Sequence, residues 1–493
     1  MIKTLLAHLV ALQICLTALP AFAEPVDLTE PMKESLVYLE ITNSRYEQYQ
    51  PWKQAPLSKD GGYACAVGPY EILTTAENVM FAAFLQARCY GQNEYIPAAI
   101  KVIDREYNLC LLTLDQEAMS KPLKPLKFEE SFPKGRQLDT YWLSSGGHLT
   151  TARSMLDRAE MRFSDVSFVK NLFFLSTNNS RPFGDGEVCC FEKDPIGLAC
   201  WGTDSDAGII PAETINRFLN QAMKGTYKGF GGVGFEVYNL LDPAMRQYLK
   251  MSEKLDYGVY VSTVYNLGTG STELKPGDVI LSMDGHELNP YGRYLHQDYD
   301  RLSFENIILQ KSDGDKIPFE IWRNGEKKTI DVLAKNFQAE EMLVPYSLGS
   351  KQPEYIVVGG FVFQQLTRDF LTMWGEGWPG KTPPHLFQYF SDKAFKPTED
   401  RTDIVVLNYV LPAESNLGYQ QLSRMVVSTI NNKKIRSIKE LSDIITQDVG
   451  SEFFVFEFEM DAPKVIIPRA QLNVENTKIA QMYGIPKLSH IEE

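Results

Sequence analysis

Histidine is scarce in this chain, with six in 493 residues and none between residues 24 and 147. That stretch therefore lacks both the commonest general base and the commonest metal ligand of proteins. No cysteine follows Cys200, and no histidine stands at ligand spacing near any cysteine, so neither a metal nor another cofactor is expected. A basic excess is also missing: 49 Lys and Arg face 63 Asp and Glu, a net charge of −14. Such a field repels nucleic-acid phosphates and anionic lipid headgroups, which excludes nucleic acid as a partner. No stretch after the N-terminal residues approaches the roughly 18 apolar residues of a membrane span. Solenoid periods, heptads and low-complexity tracts are absent as well.

What is present is ordinary globular material, 44% hydrophobic and 23% charged, in a length that calls for roughly three domains. The first residues read as an export signal over 1–23. Lys3 supplies the charge, Leu5 to Leu19 the short apolar region, and Ala21-Phe22-Ala23 the small-x-small cleavage site. An exported protein, periplasmic or secreted, is the expectation. With Cys15 removed, Cys65, Cys89, Cys110, Cys189, Cys190 and Cys200 remain, an even set that permits disulfides or buried free thiols.

From Leu36 to about Cys200, short β-rich runs alternate with turn residues, as in Leu36-Val37-Tyr38-Leu39-Glu40-Ile41 and Leu109-Cys110-Leu111-Leu112. This predicts a barrel domain, closed by a helix in which Ile215, Phe218, Leu219 and Met223 share a face. A second β-rich unit opens at the Gly-rich segment Gly229 to Gly234 and closes on a hairpin turned at Asn324-Gly325. A third begins near Tyr355 and carries a polar insertion from Gly375 to Thr402.

The first unit resembles the trypsin-like domain of the Deg/HtrA serine endopeptidases. Leu73-Thr74-Thr75-Ala76-Glu77-Asn78-Val79 matches the run holding that family's catalytic His, and Asn108-Leu109-Cys110-Leu111-Leu112 matches its Asp strand. The Ser position falls near Gly184 or on Gly186, ahead of Ile196-Gly197-Leu198, while Ser180 aligns only with a longer hairpin. The resemblance thus puts Glu77, Asn108 and Gly186 where the triad stands, with Glu187 and Val188 in place of the oxyanion-hole glycines. Serine hydrolysis needs a base near its operating pH, and an acidic side chain opposes a developing oxyanion. Cys189-Cys190 lack a cationic activator, and packing or a disulfide to Cys200 is the preferred reading.

The second unit resembles a PDZ domain of the same family. Gly232-Val233-Gly234-Phe235 matches its carboxylate-binding loop, and Leu274-Lys275-Pro276-Gly277-Asp278-Val279-Ile280 its central signature. The resemblance implies peptide capture by Gly232, Val233, Gly234 and Phe235 and by the strand edge Phe235-Glu236-Val237. Phe304, Ile307 and Ile308 stand as groove or core residues on a helix spanning Ser303 to Gln310. In the third unit Gly359-Gly360-Phe361 resembles a second such loop, and Phe453 to Phe458 with Tyr483-Gly484-Ile485-Pro486 is similar to the end of the plant-type, two-PDZ branch.

The expected fold is mainly β: a trypsin-like double β-barrel over 24–225, then two PDZ-like α/β modules over 226–340 and 341–493. The resemblance implies an oligomer built from trimers, with the third unit serving assembly. The expected partners are polypeptide C-termini or unfolded proteins, bound without cleavage. The alternative is an active endopeptidase in which Ser180 and Glu77 approach one another.

Overall fold

A computed structural model describes residues 30–92, 94–164, 166–178, 183–252, 254–336, 338–346, 349–447, 450–460 and 462–492. The signal-like segment 1–23 and Ser180 lie outside the described residues.

Six antiparallel strands close the first barrel: β1 (Leu36–Asn43), β2 (Ser58–Ala66), β3 (Glu71–Thr74), β4 (Ala82–Cys89), β5 (Ile96–Asp104) and β6 (Leu109–Leu114), in the order β1-β2-β3-β6-β5-β4. Period-two alternation points Val37, Leu39 and Ile41 into its interior beside Ile72, Leu85 and Leu112. Strand β6 is apolar on both faces because Cys110 and Leu112 fill that barrel while Leu109 and Leu111 meet the second one.

The second barrel closes from β7 (Gln137–Leu143), β8 (Leu149–Phe163), β9 (Lys170–Asn178), β10 (Val188–Phe191), β11 (Asp194–Gly202) and β12 (Asp206–Pro211), in the order β10-β11-β12-β9-β8-β7. The helix Ala212–Ala222 follows, burying Ile215 and Phe218 against the seam between the barrels.

The second unit is a sheet ordered β13-β14-β15-β19-β20, formed by β13 (Phe235–Asn239), β14 (Val259–Val264), β15 (Val279–Met283), β19 (Lys316–Arg323) and β20 (Glu326–Leu333). The short β16 (His286–Glu287) pairs with β15, and β17 (Arg293–His296) with β18 (Asp300–Ser303) forms a separate hairpin. Asn324 and Gly325 take φ of +57° and +84° to turn β19 into β20, as an Asn-Gly turn requires. Asp278 of the central signature is 1% exposed and is held by a fork from Arg323, at 2.7 Å from Nε and 2.6 Å from a terminal nitrogen.

The third unit orders its sheet β27-β26-β24-β23-β22-β21-β28. Its strands are β21 (Tyr355–Val358), β22 (Phe361–Gln365), β23 (Val405–Val410), β24 (Met425–Ile430) with the short β25 (Lys433–Lys434) beside it, β26 (Phe453–Phe458), β27 (Val465–Pro468) and β28 (Ser489–His490). The polar insertion is largely helical. It places Leu386 and Tyr389, from the helix Pro384–Lys393, in the same core cluster as the barrel seam.

Contacts at several places bind the units together, among them those of Tyr107 and of the β1–β2 loop. Tyr107, at the mouth of β6, stacks on Phe230 with centroids 4.5 Å apart and donates its hydroxyl to the Leu309 carbonyl. The loop between β1 and β2 reaches the third unit, where Tyr49 stacks on Tyr409 at 4.3 Å and Trp52 meets Tyr355 at 5.8 Å.

Candidate functional site: a filled barrel cleft and an open groove

Thr75 follows β3 and caps the helical turn Ala76–Val79, its hydroxyl accepting from the Asn78 N–H at 3.4 Å. This exposes the Glu77 side chain at the cleft. Its backbone N–H donates to Asn108 Oδ1 at 2.9 Å. Asn108 is 1% exposed and sits at φ +54°, a left-handed position that Asn tolerates. Its Nδ2 is buried without an acceptor among the described residues. An acceptor-only carboxylate at this position would orient a neighbouring base, whereas the amide leaves an orphan donor.

The segment Gly184 to Glu187 folds inward from the second barrel and latches to the first. The Asp185 carbonyl accepts from the Tyr63 N–H at 2.9 Å and from Asn78 Nδ2 at 2.7 Å. Gly186 donates its N–H to the Ala199 carbonyl at 2.9 Å and holds φ +101°. A Cβ there would lie 2.3 Å from the Tyr63 oxygen, so a side chain at Gly186 requires the latch to open. Glu187 is 2% exposed, and its Oε2 accepts from the Gly184 and Asp185 N–H groups at 2.9 and 2.7 Å. Burial, with Asp185 nearby, pushes the Glu187 carboxyl up to about 7 despite those two donors. The N–H groups of Gly184 and Gly186 are thus already engaged, one by an internal carboxylate and one by a carbonyl. An oxyanion hole needs donors aimed at vacant space.

The second site is a groove of about 340 Å³ between β13 and the helix Glu305–Leu309. Strand β13 is a sheet edge. The Gly234 carbonyl accepts from the Tyr265 N–H at 2.8 Å, which makes Phe235 and Val264 a non-hydrogen-bonded pair and turns the Phe235 N–H toward the open side. Val233, Phe235, Glu236 and Val237 line the groove. Gly232 and Gly234, expected to offer their N–H groups to a terminal carboxylate, instead donate them to the Lys335 and Thr269 carbonyls at 2.9 and 3.0 Å and shape the loop behind the groove. Of the residues left open between groove and core, Ile307, offered for peptide binding, is 3% exposed and packs in the module core, because the side of the helix facing the groove carries Phe304, Glu305 and Leu309. No local pattern marked the outer walls, Phe163, Phe168 and Lys170 from the barrel and Phe395 from the third unit, since these come from remote segments. Phe395 stacks on Tyr265 with centroids 5.1 Å apart.

A PDZ-domain family model matches residues 344–489. Over 467 residues the chain is 27% identical to Protease Do-like 2, chloroplastic, of Arabidopsis thaliana, covering 92% of this chain and 74% of that protein. It is 22% identical to the mitochondrial Protease Do-like 4 of the same plant, with 90% and 82% covered. The chain is a homologue of the Deg/HtrA, Do-like proteases. Among solved structures it is similar to the HtrA-type protease AlgW with decapeptide, at 17% identity and a TM-score of 0.48, covering 64% of this chain and 98% of that one.

In this Do-like homologue the third unit differs from the second at the corresponding groove. Gly359 and Gly360, with φ of +57° and +88°, form the two-residue turn of a hairpin pairing Val358 with Phe361. Strand β22 therefore has β21 on one side and β23 on the other, and β21 in turn pairs with β28. The edge that β13 leaves open is filled here by the chain itself. Gly359-Gly360-Phe361 is a turn, not a second carboxylate loop.

The cysteines take the second of the two arrangements left open by the sequence, buried free thiols. All six in the described residues are free and buried. The register sets Cys189 against Gly197 and Cys190 against Pro195. Cys200 thus lies about 10 Å farther along the hairpin than Cys189 needs, beyond the roughly 7 Å Cα separation a disulfide bridges. Burial pushes the Cys89 and Cys189 thiols up to about 12, which removes the thiolate that a nucleophile requires.

Proposed function

We propose that this chain is a non-catalytic Do-like homologue that binds polypeptide C-termini or unfolded segments in the groove along β13, as a holdase, adaptor or regulator. The observation that carries the reading is the Glu187 carboxylate bonded to the Gly184 and Asp185 N–H groups. With those donors occupied by a built-in carboxyl, they are not free for the oxyanion of acyl transfer, whichever residue is asked to be the nucleophile. The engagement of the Gly186 N–H and the lack of any histidine between residues 24 and 147 support it further. The open edge at Phe235 supports peptide capture by strand addition.

In this reading the protein is exported to the periplasm or released, as the Lys3 to Ala23 segment suggests, and assembles from trimers, as carried over from the family. The test is hydrolysis of unfolded casein by purified protein with a serine-directed fluorophosphonate probe, beside a Ser180→Ala variant. No cleavage and no labelling are expected. Cleavage abolished by Ser180→Ala would overturn the reading and assign Ser180 as nucleophile.

A further inference from the structure

We infer that the groove along β13 continues into an arginine-lined extension that selects acidic residues upstream of the bound C-terminus. This rests on the peptide-binding reading above. A second cavity, of about 460 Å³, adjoins the groove: Lys170 lines both, and Ser303 in the one is followed by Phe304 and Glu305 in the other. Strand β8 of the barrel supplies one wall, through Arg158 and Glu160, and the β17–β18 hairpin the other. In that hairpin Arg293 pairs with Ser303 and Leu295 with Arg301, which puts Arg293 and Arg301 on one face, both lining the cavity.

The acidic groups nearby are already committed. Glu160 is bridged to Arg158 at 3.0 Å and to Arg162 at 3.2 Å, Asp157 to Arg158 at 2.5 Å, and Glu305 to Lys170 at 3.1 Å. Arg293 and Arg301 have no carboxylate partner among the described residues. In a chain of net charge −14 these two guanidinium groups form a local basic site, and their planar forks match carboxylates.

The direction of a bound peptide leads into this site. The Gly231 N–H donates to the Lys311 carbonyl at 2.9 Å, so the carboxylate loop sits at the C-terminal end of the helix Glu305–Leu309. A chain terminus held there runs back toward Glu305. The helix covers about 6 Å between those two residues, the length of roughly two extended residues at about 3.3 Å each. From about the third residue upstream, the peptide passes Glu305 and Ser303 and meets Arg293 and Arg301. The occupant fitted by both parts is a polypeptide whose apolar C-terminal residues follow a run of Asp or Glu.

The test is fluorescence anisotropy on the full chain with labelled decapeptides that end in the same apolar residues, preceded by either acidic or neutral polar residues, each also made as a C-terminal amide. The acidic peptide should bind about tenfold tighter than the neutral one at low salt, with the advantage shrinking as salt rises. A variant carrying Arg293→Gln and Arg301→Gln should lose the advantage and keep its affinity for the neutral peptide. Equal affinity of the two peptides for the natural protein, with both amides failing, overturns this inference and leaves the groove reading standing. An acidic advantage that survives in the double variant overturns it too. If neither free-carboxylate peptide binds, the groove reading falls and this inference with it.

Discussion

Glu187 holds its position at an energetic cost that pH reveals. Its carboxyl is raised by burial from the ordinary 4.5 to about 7 in the folded protein. The folded state therefore binds the proton more tightly than the unfolded chain. Below about pH 4.5 both states are protonated and the group is neutral to stability. As pH climbs through the window to about 7, the folded state loses stability, on the order of 3 kcal/mol at 1.36 kcal/mol per unit. In Glu187→Gln one amide oxygen still accepts from Gly184 and Asp185 without ionising, so urea unfolding should show this variant gaining on the natural protein more at pH 8 than at pH 5. Glu187→Ala should instead lose about 1–3 kcal/mol at pH 5, because two N–H groups are orphaned, and less at pH 8, where it also removes the buried charge. Gly186→Ser, the obvious attempt to restore a hydroxyl, should lower the melting temperature without fluorophosphonate labelling. Its Cβ would meet the Tyr63 carbonyl at a backbone angle that suits glycine.

Two strands with similar Gly-Phe openings have opposite exposures. Strand β13 starts after a loop tied to Lys335 and Thr269 and stays at the edge, whereas β22 starts after a tight turn that lays β21 along it. Calorimetric titration with a groove-binding peptide should therefore give one site per chain. Gly360→Ala should leave that affinity unchanged while costing about 1–3 kcal/mol of stability, since its Cβ would lie 2.4 Å from Asn416 Nδ2 at φ +88°. Two sites per chain would mean that β21 leaves its place. The repeated Gly-Phe string was legible in the sequence. Its different outcome was not, because Tyr355 to Val358 form a strand that pairs with β28, more than a hundred residues away in the chain.

For the whole molecule, the third unit is held by the β1–β2 loop and by the insertion that buries Leu386 and Tyr389 at the barrel seam. Trp52→Ala should cost about 3–5 kcal/mol, the range for deleting a buried large aromatic. It should also make the third unit the first to be cut in limited proteolysis. The buried thiols give a second global readout: alkylation followed by mass spectrometry should leave Cys65, Cys89, Cys110, Cys189, Cys190 and Cys200 unmodified in native protein and modify all six after unfolding without reductant. A cysteine blocked in the unfolded state would reveal a bridge and overturn the assignment of six free thiols.

The sequence by itself determined the mainly β character, the helix after Pro211, the Asn324-Gly325 turn and the absence of histidine near Glu77 and Asn108, because each depends on local periodicity, turn chemistry or composition. It also carried the resemblance to the Do-like proteases. Only the tertiary structure decided that Glu187 fills the Gly184 and Asp185 N–H pair, that Ile307 belongs to the core, that the six cysteines stand apart, and that Phe168, Lys170 and Phe395 wall the groove. These depend on which remote backbones meet. Strand register and the packing of separate units set those distances, and neither leaves a mark in the local pattern of residues.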